Sequence, residues 1–176
     1  VLDPAELTRL ARELRRGPLL PDGQGTPVSM AGAALQRLLP HRAPMLLVDG
    51  IDAVDPASKT VRGHRRLEEA ALGFAGHFPG DPVYPGMLVV EAIGQLGLTL
   101  LHFLEAGLDV PDGTVPRNVR ATHVHHATFL APFRPGDTMT LHARAVHSDF
   151  TMVAVGQAWN GPTLAATAIC EVYVDE

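Results

Sequence analysis

Met87 to Leu104 is the longest apolar run in the chain, and it carries polar side chains at only four places, Glu91, Gln95, Thr99 and His102. At about 100° per residue those four fall within a sector of about 80°, while Val89, Val90, Ile93, Leu96, Leu100 and Phe103 cover most of the rest. Four polar groups are costly in lipid, and the run is short of a clean span. The pattern therefore predicts a helix buried in protein, opened by Pro85-Gly86, running to about Glu105 and closed by Gly107. A helix apolar on nearly every side needs something wrapped around it.

Strands are the expected wrapper. Met45 to Val54 and Thr60 to Arg66 read as two strands separated by the turn composition Asp-Pro-Ala-Ser. Beyond the helix, strands are expected over about Val115 to Phe129, Asp137 to His147, Phe150 to Trp159 and Thr163 to Val174. Pro135-Gly136, Ser148-Asp149 and Asn160-Gly161-Pro162 supply the turns between them. Six strands and one buried helix imply an α+β domain with a largely antiparallel sheet. Upstream, Leu7, Leu10, Ala11 and Leu14 mark an amphipathic helix over Pro4 to Arg16, ended by Gly17-Pro18 and read as a packing appendage. Leu19 to Ser29 is rich in Pro and Gly, and a short helix is expected from Ala31 to Leu39. The chain is thus divided into an N-terminal helical extension, 1–30, and a core domain, 31–176.

With 176 residues there is room for one sizeable core. The formal net charge of −5 suggests neither nucleic acid nor an anionic membrane as a bulk partner. A single cysteine, Cys170, excludes an intrachain disulfide or a multi-thiolate metal site. Together with a charged N-terminal stretch that does not read as a signal peptide, this points to the cytoplasm.

The loop before the long helix, Gly76 to Gly86, holds three glycines and three prolines in eleven residues, so it turns tightly and is stiff. It can fix one side chain in place, and that side chain is His77. Histidine takes up and releases protons near neutral pH, which makes His77 a candidate base. Glu91 is the only carboxylate on the polar stripe, and apolar surroundings would favour its protonated form, the form that donates a proton. Gly86 sits where the first N–H groups of the helix lack intrahelical partners and can hold a carbonyl oxygen or an oxyanion. On a strand, His123 and His125 share a face while His126 points away, so two of them could ligate a metal only with a third group from elsewhere.

The run G-H-F-P-G-D-P-V-Y-P-G-M-L-V-V-E-A-I-G-Q, Gly76 to Gln95, resembles the 3-hydroxyacyl-[acyl-carrier-protein] dehydratases of fatty-acid synthesis. L-P-H-R-A-P-M-L-L-V-D, Leu39 to Asp49, looks like the start of that family's core, and F-R-P-G-D, Phe133 to Asp137, is similar to a turn found there. Fourteen positions separate His77 from Glu91, the family's own spacing. The resemblance implies a hot-dog fold, a sheet wrapped around one long central helix. It also implies a homodimer with active sites at the interface, open to higher assembly, in which the His loop of one chain faces the helix of the other.

It further implies that His77 is the base, Glu91 the acid and Gly86 N–H the contact to the thioester oxygen, and that the Val83 carbonyl orients the His77 ring. Val83, Tyr84, Phe78 and Gln95 would line the substrate site. Glu at the acid position is similar to the branch that only dehydrates, whereas Asp81 is similar to the branch that also moves the double bond, and Tyr84 replaces the methionine usual in both. The N-terminal 30 residues or so have no counterpart in the small housekeeping enzymes of the family.

The expected reaction is loss of water from a 3-hydroxyacyl thioester on acyl carrier protein or coenzyme A, without metal or organic cofactor. Arg65, Arg66, Arg117, Arg120 and Arg134 are candidates for docking the acidic carrier. Two other readings stand beside it, a thioesterase on the same fold and a non-catalytic module that binds an acyl group or a metal.

Overall fold

The computed structural model describes residues 2–148 and 151–174. Helix α1, Pro4–Glu13, is followed by strand β1, Thr26–Ala31, and helix α2, Gly32–Leu38. Strands β2, Gly50–Asp55, and β3, Thr60–Arg66, lead through a short 3-10 turn at Phe74–Gly76 to helix α3, Gly86–Ala106. Strands β4, Val119–Phe129, β5, Thr138–Ser148, β6, Thr151–Asn160, and β7, Thr163–Val174, complete the chain. All seven strands form one antiparallel sheet in the order β1-β2-β3-β5-β6-β7-β4. The sheet curls around α3 as a hot-dog fold.

α3 is where the sequence placed it, ending at Gly107 with φ of 75°. Phe103, Leu96, Ile93 and Leu100 on it are at most 1% exposed, each such burial contributing about 1.5–3 kcal/mol. It alone among the described helices is long and apolar enough to cross a membrane, yet most of it is buried inside the protein. The sheet meets it with small residues. A Cβ on Gly156 of β6 would run into the Ile93 side chain and would lie 2.7 Å from the His142 carbonyl oxygen. A Cβ on Gly97 of the helix would lie 3.3 Å from the methyl of Ala154 and 3.7 Å from that of Ala143, a looser fit than at Gly156.

Two features depart from expectation. The sheet has seven strands rather than six, because Thr26–Ala31 pairs with β2 as the edge strand. Pro27 made this stretch read as loop, and an edge is where a strand tolerates a proline. Met45 to Asp49 is not strand, because the Gln95 side chain takes the backbone groups of Met45 and Leu47. Gln95 accepts from Leu47 N–H at 2.8 Å and donates to the Met45 carbonyl at 2.7 Å, and Asp49 accepts from Arg65 and from Arg66 N–H. The last strand-rich segment matches closely, although Asp149 of the expected Ser148-Asp149 turn and the expected first strand residue Phe150 lie outside the described residues.

The N-terminal segment is fastened to the outer face of the sheet. Asp3 caps α1 by accepting from Glu6 N–H at 2.8 Å, with Pro4 at the first helical position. Leu10 and Leu14 pack on Val153, Val155 and Ile169. Two buried polar side chains hold the strap that follows. Gln157 donates to the Leu14 and Gly17 carbonyls and accepts from Leu19 N–H, and His142 Nδ1 accepts from Leu20 N–H at 3.2 Å.

Candidate active site

The loop from His77 to Val83 closes on itself. Val83 N–H donates to the His77 carbonyl at 2.8 Å, and Phe78 and Asp81 exchange backbone bonds. Tyr84 N–H donates to the Phe133 carbonyl at 2.8 Å, and Arg134 pairs with Asp81, so the loop is tied to the turn before β5. Within this frame His77 Nδ1 lies 2.8 Å from the Val83 carbonyl oxygen. A carbonyl only accepts, so Nδ1 carries the hydrogen, and in the neutral tautomer the lone pair is on Nε2. Phe78 stacks on the imidazole with centroids 4.1 Å apart.

His77 opens into a cavity of about 500 Å³. Gly86 and Met87 from the start of α3, Tyr84, Phe129 from the end of β4, and Ala165 and Ala166 of β7 share its wall. The lining is largely apolar, as an acyl chain requires. Gly86 is the first residue of a 21-residue helix, whose leading N–H groups have no intrahelical acceptor. Tyr84 is 2% exposed, with its ring 5.4 Å from that of Phe74 and its hydroxyl buried without a hydrogen-bond partner.

Glu91 does not line this cavity. Its side chain is 39% exposed in the single chain, not enclosed by apolar groups as the helix pattern suggested. Its Oε1 accepts from Gln95 Nε2 at 2.9 Å and lies 3.4 Å from His41 Nε2. Gln95 is 1% exposed, its amide spent on Met45, Leu47 and Glu91, so it holds Glu91 in position instead of meeting substrate. His41 was not singled out in the sequence; its place in L-P-H-R was the available signal. Burial pushes its pKa below the ordinary histidine value despite the opposing pull of Glu91.

The five arginines are dispersed. Arg65 pairs with Asp49, Arg66 with Glu68, Arg117 with Glu105 and Arg134 with Asp81. Arg120 stands opposite Tyr173 on β4. Arg134 is next to Phe133 on the cavity wall, while the partner of Arg117 is at the far end of α3, about 28 Å away along the helix axis.

A FabA-like domain model matches residues 39–168. The chain belongs to the FabA-like family. Among its relatives is the 3-hydroxyacyl-[acyl-carrier-protein] dehydratase FabZ of Nitratiruptor sp., 33% identical over 135 residues that cover 76% of this chain and 90% of the relative. The FabZ of Aliarcobacter butzleri is 36% identical over 136 residues with the same coverage. That of Anaeromyxobacter sp. is 40% identical over 114 residues, covering 64% of this chain and 69% of its own.

Of solved structures, the dehydratase heterocomplex ApeI:P from Xenorhabdus doucetiae superposes with a TM-score of 0.62 at 17% identity, covering 81% of this chain and 91% of the other. A putative thioesterase from Ralstonia eutropha gives 0.51 at 19% identity, covering 70% and 83%. Both likenesses show the fold, and a fold shared by those two names does not choose between chemistries. For this FabA-like chain the choice rests on the side chains of the site.

Proposed function

We propose that the chain removes water from a 3-hydroxyacyl thioester carried by acyl carrier protein, giving the trans-2-enoyl thioester, as a step of fatty-acid biosynthesis in the cytoplasm. The observation that carries this reading is the locked tautomer of His77. Its Nδ1–H is committed to Val83, so in the neutral ring Nε2 is the atom left to act as a base, and the residue lines an apolar cavity together with Gly86. His77 takes the proton from C2, Gly86 N–H steadies the negative charge that grows on the thioester oxygen, and Glu91 gives a proton to the hydroxyl leaving C3. The C2–H and C3–O bonds break and one water departs. The dehydratase names of the relatives at 33–40% identity support the same chemistry.

Glu91 lies outside the His77 cavity of its own chain, so the reading includes a homodimer in which the helix of one copy supplies Glu91 to the His loop of the other. Met87, Phe129 and Leu130 on the cavity wall are 59%, 51% and 45% exposed, an apolar face suited to being covered. β4 leaves an eleven-residue edge open beside them, and such an edge pairs readily with another strand. Arg134 at the cavity rim is the arginine best placed to meet an acidic carrier.

Mass spectrometry of 3-hydroxyacyl carrier protein incubated with the chain tests the assignment. Loss of one water is expected, and it should vanish in His77→Ala and in Glu91→Gln with folding intact. Substantial turnover in both variants, or release of free acid, overturns it.

A further inference from the structure

We propose that His123, His125 and Glu171 together bind one divalent transition-metal ion, with zinc the best match to the donors. The sequence offers two histidines on β4 and leaves the third ligand open; the fold supplies it from β7. His123 pairs in register with Glu171, and the register shifts on either side of Val124, between Ala121 and His123 and again between Val124 and His126. The second shift changes the alternation of side chains along β4. His126 stands opposite Ile169, whose side chain packs against α1, and both His125 and His126 border the cleft beside α1. The expectation that His126 points away from its neighbours therefore fails, because the bulge adds one residue to the count.

His125 Nε2 is 2.7 Å and His123 Nδ1 3.8 Å from Glu171 Oε2, and the three ligand atoms lie within 4.8 Å of one another. Tetrahedral zinc with bonds of about 2.0–2.1 Å sets its donors roughly 3.3 Å apart. The observed separations straddle that spacing. His123, with a side chain 65% exposed, has room to turn into place. Glu171 is 6% exposed and hydrogen-bonded to His125, so its carboxylate oxygen is held at one place between the two strands. Thr122 Oγ1 donates to the Glu171 carbonyl at 3.1 Å and fixes the two strands at this point. Two imidazoles and one carboxylate suit zinc over calcium or magnesium, which prefer all-oxygen sets, and a fourth position remains toward solvent. The ion would pin the edge strand β4 to β7 on the outer face, apart from the His77 cavity.

The test is calorimetric titration of the untagged full chain with zinc alone, alongside His123→Ala, Glu171→Gln and thermal melting of each. One zinc per chain is expected, with a higher melting temperature on binding and affinity reduced by about tenfold or more in each variant. Glu171→Gln disturbs a buried pair and could unfold the strand. His123→Ala removes an exposed ring, keeps the fold, and decides the matter by itself. Absence of saturable zinc binding, or equal affinity in His123→Ala, overturns the site and reduces the cluster to an ion pair.

Discussion

Nε2 of His41 lies 3.4 Å from Oε1 of Glu91, the same oxygen that accepts from Gln95. Two neighbours on one oxygen leave Oε2 as the atom that would carry the acid proton in the proposed reaction. His41 is thus a positioning residue for the proposed acid, kept neutral by burial and with its Nδ1 buried and unpartnered. His41→Ala is expected to lower kcat by about tenfold, on the order of 1.4 kcal/mol of transition-state stabilisation, with little change in KM and a displaced acid limb of the pH–rate profile. His41→Asn, which keeps a hydrogen-bonding group, should recover part of the rate. If His41→Leu recovers as much, the ring only fills space and the assignment is wrong.

A site split between two chains makes a prediction that a self-contained site cannot. Mixing His77→Ala with Glu91→Gln and allowing subunits to exchange gives half mixed dimers, each with one intact pair, so about a quarter of the wild-type activity should return. Two inactive parents whose mixture stays inactive after verified exchange would show that His77 and Glu91 act within one chain.

Where the sequence could be read, one element answered to one local pattern. The apolar run with its polar stripe located α3, Asn160-Gly161 located the last hairpin, and the His77 loop was visible in its glycines and prolines. What escaped depended on contacts distant in sequence. Gln95 takes the backbone of Met45 and Leu47 out of the sheet from about fifty residues away. His41 acquires a role only by meeting Glu91. The face of His126 turns on a bulge that alternation does not reveal.

His142 links stability to pH. Burial, assisted by the Arg62 cation, lowers its pKa from 6.5 to about 4, and its neutral Nδ1 accepts from Leu20 N–H. Unfolded chain binds a proton at this residue below about pH 6.5, whereas folded chain does not until about pH 4, so the contribution is complete above 6.5 and is lost as pH falls toward 4. The full loss is on the order of 3 kcal/mol. Urea unfolding at pH 7 and pH 5, a window in which most carboxylates stay ionised, should show a marked fall in the native chain and a smaller one in His142→Gln. Buried His102, also lowered, keeps the variant from being flat. Equal falls in both proteins would remove His142 as the source.

The proposed role of the Gly86 N–H comes with a demand for space. A Cβ there would lie 2.7 Å from Cε1 of Phe129, a ring that is 51% exposed and able to swing aside. Alanine is an excellent helix former, so Gly86→Ala should leave thermal stability nearly unchanged. The displaced ring, however, stays at the wall of the cavity that Gly86 shares with His77, and kcat/KM is expected to fall about a hundredfold as thioester loses its approach to the helix N-terminus. Adding Phe129→Ala to Gly86→Ala should restore much of that loss, a coupling that a double-mutant cycle measures directly. Strictly additive effects of the two substitutions would mean that the ring does not transmit the defect, and full activity in Gly86→Ala would remove the backbone of Gly86 from the reaction.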